Sequence, residues 1–177
     1  MPLKTFDEID WMTPESEEFA NYWRELPRSG GVPHRSAFDP TKIVRLLPGI
    51  AMYEIRSDKE VVSRLTGTEL VEFFGHEITG TNMLDLWSDE NRGEAAANLK
   101  RMVEEPCGMI LLLGGLTLNG NTAMSTAVGF PLLDYNDACN RLVFFSSGFA
   151  QDNIRVARED QIRSLMVERS AFIDISS

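Results

Sequence analysis

Two segments constrain the fold more than any other part of this chain. MILLLGGL, residues 109–116, and LVFF, residues 142–145, are apolar at every position. In a strand, successive side chains point to opposite faces, so such runs present apolar groups on both sides of their sheet. A sheet of this kind has to be covered on both faces. Asn119-Gly120, between 107–118 and 121–133, is a strong two-residue hairpin signal. A second turn falls within 132–140 and leads into a last strand, RLVFFSSGFA. Upstream, IAMYEIR (50–56), the turn Ser57-Asp58-Lys59 and EVVSRLT (60–66) read as another hairpin.

Helices separate the two groups of strands. Thr13, Pro14 and the acidic residues Glu15, Glu17 and Glu18 form a helix start, and Phe19, Tyr22, Trp23 and Leu26 share one face before Pro27. Asp39-Pro40 repeats the cap-then-proline pattern and predicts a short helix through Leu47. After a turn at Gly67, Thr68 is read as the cap of helix ELVEFF, and Gly75 is placed to close it in the left-handed conformation. Ser88 is read as the cap of a longer helix, about 89–104, with Ala95, Leu99, Met102 and Val103 as its apolar stripe.

The element order predicts an α+β fold: five antiparallel strands, helices inserted after the second, and an amphipathic N-terminal helix. The inserted helices cover one face, and the N-terminal helix or a partner subunit covers the other. The expected division is a flexible acidic arm (1–13), a domain with its N-terminal helix (14–150) and a tail (151–177). Ile154, Ile162, Leu165 and Met166 suggest that the tail is partly helical.

The net charge of −10 argues against nucleic acid and anionic membranes as partners, since both require a basic surface. No run approaches the roughly 20 apolar residues of a membrane span. The N-terminus lacks a signal-peptide core. The two cysteines, Cys107 and Cys139, lack disulfide-framework or metal-ligand spacing. These features lead to the expectation of a cytoplasmic protein.

Several separated motifs carry a family likeness. They are Tyr22-Trp23-Arg24, the proline loop into Arg35-Ser36-Ala37-Phe38-Asp39-Pro40, Leu46-Leu47-Pro48 before the first strand, Arg64-Leu65-Thr66-Gly67-Thr68, and Phe74-Gly75 followed by Thr79-Gly80. Together they resemble the bacterial single-domain PAS family PAS_5, over about Phe19 to Phe149. The resemblance implies a PAS-like five-stranded antiparallel sheet with a helical flank, used for sensing or protein interaction.

Each candidate site residue has a structural reading beside the functional one. Arg64 suits an anionic ligand, or an ion pair with Asp39 or Glu54. Arg35 suits a pocket mouth, or a bond that fixes its loop. Thr66, Gly67 and Thr68 could present N–H groups to an anion, although turn and cap roles account for them. Tyr53, Leu70, Phe73, Phe74, Met83, Leu84, Trp87, Leu99 and Met102 line a pocket or form plain core. Phe19, Tyr22, Trp23 and Leu26 are the candidate homodimer surface.

No cofactor is expected. Haem binding in a PAS domain needs a histidine on the inserted helices, and His34 and His76 lie outside them. A flavin photosensor of the LOV type needs a cysteine in a signature helix, and 68–87 holds none. Metal binding is disfavoured by the wide separation of His and Cys. Ser146-Ser147-Gly148 and the Glu69/Glu72 pair fit no catalytic pattern; Arg64 and Tyr53 are the least poor candidates for an enzyme. The leading expectation is a sensory module that binds a small ligand or a partner protein and signals in trans, without catalysis. The alternative is a ligand-free interaction scaffold.

Overall fold

A computed structural model describes residues 1–151, 154–155 and 159–176. The described residues hold three α-helices: α1, Pro14–Arg24; α2, Thr68–Phe74; and α3, Asp89–Glu104. The strands are β1 (Leu3–Lys4), β2 (Ile50–Ile55), β3 (Val61–Thr66), β4 (Gly108–Thr117), β5 (Thr122–Leu133), β6 (Cys139–Ser146), β7 (Ala150–Gln151), β8 (Ile154–Arg155) and β9 (Ile162–Ile173). The main sheet runs in the order β1-β9-β4-β5-β6-β2-β3, with β7 and β8 paired off this path.

The five expected strands are adjacent, β4-β5-β6-β2-β3, and their pairings are antiparallel. Both hairpin turns form where the sequence places them, with Gly120 at φ 82°. Two strands extend this set beyond the expectation. β9 pairs antiparallel with β4, and β1 joins β9 in parallel. The helical reading of the tail is therefore corrected over 162–173, and its upstream part lies largely outside the described residues. The arm is likewise docked rather than loose: Phe6 and Ile9 are buried, and Phe6 stacks on Phe130 with centroids 6.0 Å apart.

Helices lie on both faces of the sheet, as its two-sided apolar strands require, with α1 covering only part of its side. On one face α1 buries Phe19, Ala20 and Trp23 against Val128, Phe130, Val143 and Phe145. Trp23 stacks on Phe130 at 4.6 Å, and its Nε1 donates to the Pro131 carbonyl at 3.1 Å. The Thr13 hydroxyl caps α1 by accepting from Ser16 N at 3.1 Å. On the other face α2, the 3-10 turn Met83–Leu86 and α3 pack over Ala51, Tyr53, Met109, Leu111 and Phe144.

Local departures from expectation have plain causes. Residues 40–49 form two 3-10 turns, Pro40–Lys42 and Val44–Gly49, the second interrupted by Pro48. Gly67, not Thr68, is the N-cap of α2. A Cβ at Gly67 would lie 2.2 Å from the Pro48 carbonyl oxygen, so only glycine fits this turn. Gly75 closes α2 at φ 75°, in the left-handed region.

Candidate functional site

The α2/α3 face is not completely filled. Between the sheet and the helices lies a chamber of about 50 Å³. Six of the ten pocket candidates line it: Tyr53, Leu70, Phe74, Met83, Trp87 and Leu99. Phe73, Leu84 and Met102 are buried in the same core but stand behind its wall. Phe73 instead meets Phe149 edge-on at 5.5 Å.

Sequence reading missed most of the floor. Met109, Leu111 and Leu113 from β4, Ala127 from β5, Phe144 and Ser146 from β6, Phe149, and Leu165 and Val167 from β9 complete the lining, with Leu86, Ala95 and Asn98 from the helical side. The odd-numbered parity of Met109, Leu111 and Leu113 was a usable signal for β4. In β9 the alternation is broken, and Leu165 and Met166 mimic a helical stripe.

No described lining residue is Asp, Glu, Lys, Arg or His. Burial pushes the Tyr53 phenol far above its ordinary value, so it stays neutral. One polar group stands out. Trp87 is buried, and its indole nitrogen has no hydrogen-bond partner. A buried donor left unpaired costs on the order of 1–3 kcal/mol.

Arg64 is outside the chamber. In β3 it occupies a bulge, since Met52 pairs with Leu65 and Tyr53 with Ser63. Its side chain turns to solvent and pairs with Glu54. Arg141 and Arg56 also reach Glu54, each at 3.4 Å. Burial alone would raise the Glu54 carboxyl, but the Arg64 hydrogen bond, the Arg141 charge and the Arg56 hydrogen bond outweigh it and hold it low. The ion-pair reading with Glu54 replaces the ligand-anchor reading.

The remaining candidates are occupied structurally. Gly67 N donates to the Ile50 carbonyl at 2.7 Å, so this N–H is not offered to an anion. Arg35 lies over the Phe38 ring at 5.9 Å. The loop it belongs to is held by Tyr22, whose hydroxyl donates to the Asp39 carbonyl at 2.9 Å and accepts from Asp39 N at 2.7 Å. His34 pairs with Asp137 at 2.9 Å, and His76 Nδ1 lies 3.0 Å from the Phe74 carbonyl oxygen. Burial pushes the thiols of Cys107 and Cys139 up to about 11. Among the described residues no group of three or more His, Cys, Asp or Glu side chains converges on a metal position.

The candidate dimer surface is corrected. Phe19 and Trp23 are 0% and 1% exposed within a single chain, and Leu26 is also buried. Tyr22 is half-buried and engaged with Asp39. The stripe is spent on the chain's own sheet and is not a free surface for a second copy.

An antiparallel sheet with helices inserted after its second strand, and a chamber beneath them, defines the PAS class of domain. The PAS_5 model, a PAS domain, matches residues 12–143, and the chain belongs to that family. A comparison with curated proteins finds no match. Among solved structures, a light-oxygen-voltage domain studied with a flavin analogue aligns with TM-score 0.49 and 10% identity, over 64% of this chain and 84% of that one. The LOV protein of Rhodobacter sphaeroides aligns with TM-score 0.47 and 13% identity, over 66% and 70%. Vibrio cholerae VqmA aligns with TM-score 0.43 and 15% identity, over 63% and 50%.

A flavin does not fit the chamber as it stands. Pockets for cofactors of that size run to about 300–1,000 Å³, against about 50 Å³ here, and neither cysteine lines the chamber. No helix of the described residues is long and apolar enough to cross a membrane.

Proposed function

We propose that the chain is a sensory or regulatory PAS module that takes a small ligand into the chamber and signals in trans to another protein, with no chemistry of its own. The observation that carries this reading is the chamber itself, which is mainly apolar, free of charged lining and walled in part by Trp87, whose indole N–H is unpartnered. An uncharged wall without a nucleophile–base pair suits binding better than catalysis. A cytoplasmic setting is part of the same proposal.

The test is gas-chromatographic mass spectrometry of a solvent extract from gently purified protein. One compound is expected to be enriched over an unrelated control protein prepared in the same way. An extract indistinguishable from the control would remove the ligand. It would favour the second reading, a ligand-free interaction module, for which the small volume of the chamber is the supporting observation.

Homodimerisation stays within the proposal, but at a different surface. Beyond α1, Leu112, Leu116, Met124 and Met166 are half-buried on the α1 face of β4, β5 and β9. Leu112→Glu with Met124→Glu is expected to shift a dimer to monomer in sedimentation. A wild type that sediments as a monomer would remove this part.

A further inference from the structure

The chamber walls narrow the chemistry of what can occupy them. Resting on the reading above, we infer that its occupant is a small, neutral, mainly apolar molecule carrying one hydrogen-bond acceptor, and that the indole N–H of Trp87 binds that acceptor. Carboxylates, phosphates and amines are excluded as a class.

Three observations converge on this chemistry. The first is volume. About 50 Å³ is room for roughly four water-sized groups. A molecule of five or six non-hydrogen atoms enters with slight adjustment, whereas a ring system the size of a flavin requires α3 to separate from the sheet. The second is charge. With no ionic group in the described lining, an ionised ligand would be desolvated without a counter-charge. Tyr53 cannot supply one, because burial keeps its phenol protonated.

The third is the orphan donor. Buried tryptophan N–H groups usually find a partner, and this chain shows the usual case on its opposite face. There the Trp23 Nε1 donates to the Pro131 carbonyl at 3.1 Å. Trp87 is also buried, lines the chamber and has an unpaired indole nitrogen. Indole is a donor only, so its complement on a ligand is a lone pair: a carbonyl, ether or hydroxyl oxygen. The nitrogen itself is closed to water, so a ligand oxygen reaches it by a small turn of the indole toward the chamber, while the rest of the molecule fills apolar space.

The experiment uses the full chain and four probes: cyclopentanone, its hydrocarbon counterpart cyclopentane, butyrate and butylammonium. Titrations are followed by the tryptophan indole N–H signals in two-dimensional NMR, with Trp11 and Trp23 as internal references. Cyclopentanone is expected to move the Trp87 indole signal downfield and saturably, cyclopentane to perturb nearby methyl groups without that shift, and the two ions to do neither. In Trp87→Phe, affinity for cyclopentanone is expected to fall about two- to tenfold further than affinity for cyclopentane, the share attributable to one neutral hydrogen bond.

Equal losses for the two probes, or a Trp87 signal that responds identically to both, would overturn the inference while leaving the ligand-binding reading intact. Saturable binding of butyrate or butylammonium would do the same. If no probe binds saturably, the inference falls, while the ligand-binding reading is decided separately by the solvent extract. Should Trp87→Phe not fold, which loss of the Trp23 reference signal would reveal, the wild-type indole shift decides the matter by itself.

Discussion

Each face of this sheet buries one tryptophan in its core, and the contrast between the two separates what keeps the chain folded from what it can recognise. Trp23, under α1, is stacked on Phe130 and hydrogen-bonded to Pro131. Trp87, on the α2/α3 side, borders a void and leaves its donor unpaired. Dense packing and full hydrogen bonding mark a surface optimised for stability. A void with an orphan donor is a local cost that a ligand can offset. The same sheet thus carries a sealed contact beneath α1 and a receptive one beneath α2 and α3.

The largest effect is expected where the sealed contact is opened. Trp23→Ala removes the stack and leaves the Pro131 carbonyl without its donor, so stability should drop by about 3–5 kcal/mol in denaturant titration. A loss below about 1 kcal/mol would break the comparison, because it would mean that the α1 face is as loosely packed as the other.

A matched pair of substitutions sharpens the contrast. Ala20, on the buried side of α1, is 0% exposed, and Ala127 lines the chamber. Ala20→Val adds two carbons to a filled space and should cost about 1–3 kcal/mol, a few tenths of it from helix propensity. Ala127→Val adds the same two carbons beside a void in a strand that favours branched residues. It should stay within about 1 kcal/mol of wild type and weaken cyclopentanone binding. Equal costs at both positions would show that the chamber closes up in solution.

How far the sequence reached follows the same division. The α1 face was legible because its signals are local: the Thr13 cap, Pro14, and aromatic residues at helical spacing. What the sequence concealed was the use of that stripe within the chain, since a strip meant for a sheet and one meant for a second copy look alike. On the receptive face, α2 with Gly75 and the helix from 89 to 104 were readable from caps and glycines. The floor from β9 was not.

Its ladder with β4 shifts register twice, between Leu112/Leu113 and between Leu116/Thr117. Each shift lets one residue of β9 slip out of the alternation. The core-facing residues Ile162, Leu165 and Val167 therefore fall three and then two apart, and Met166 on the opposite face completes a false helical pattern. A bulge also explains Arg64, which reads as a cation in an apolar strand but leaves the ladder and pairs with Glu54.

The smallest effect is expected at that cluster, and its pH dependence separates charge outside from neutrality within. Arg64→Ala removes one of three arginines around Glu54, and exposed pairs contribute about 0.2–1 kcal/mol. The Glu54 carboxyl is held low in the folded chain despite its burial, chiefly by the Arg64 hydrogen bond. The stabilisation is therefore present above the ordinary glutamate value of about 4.3 and disappears as pH falls through the lowered folded value. Wild type and Arg64→Ala should differ slightly at pH 7 and converge as the solution is acidified toward about pH 3. Cyclopentanone affinity should stay level between about pH 5 and 9, because the described lining holds no group that titrates there, the Tyr53 phenol being pushed far above that window. An affinity that followed the Glu54 titration would mean that the arginine cluster reaches the chamber after all, and that the two environments are coupled through β2 and β3.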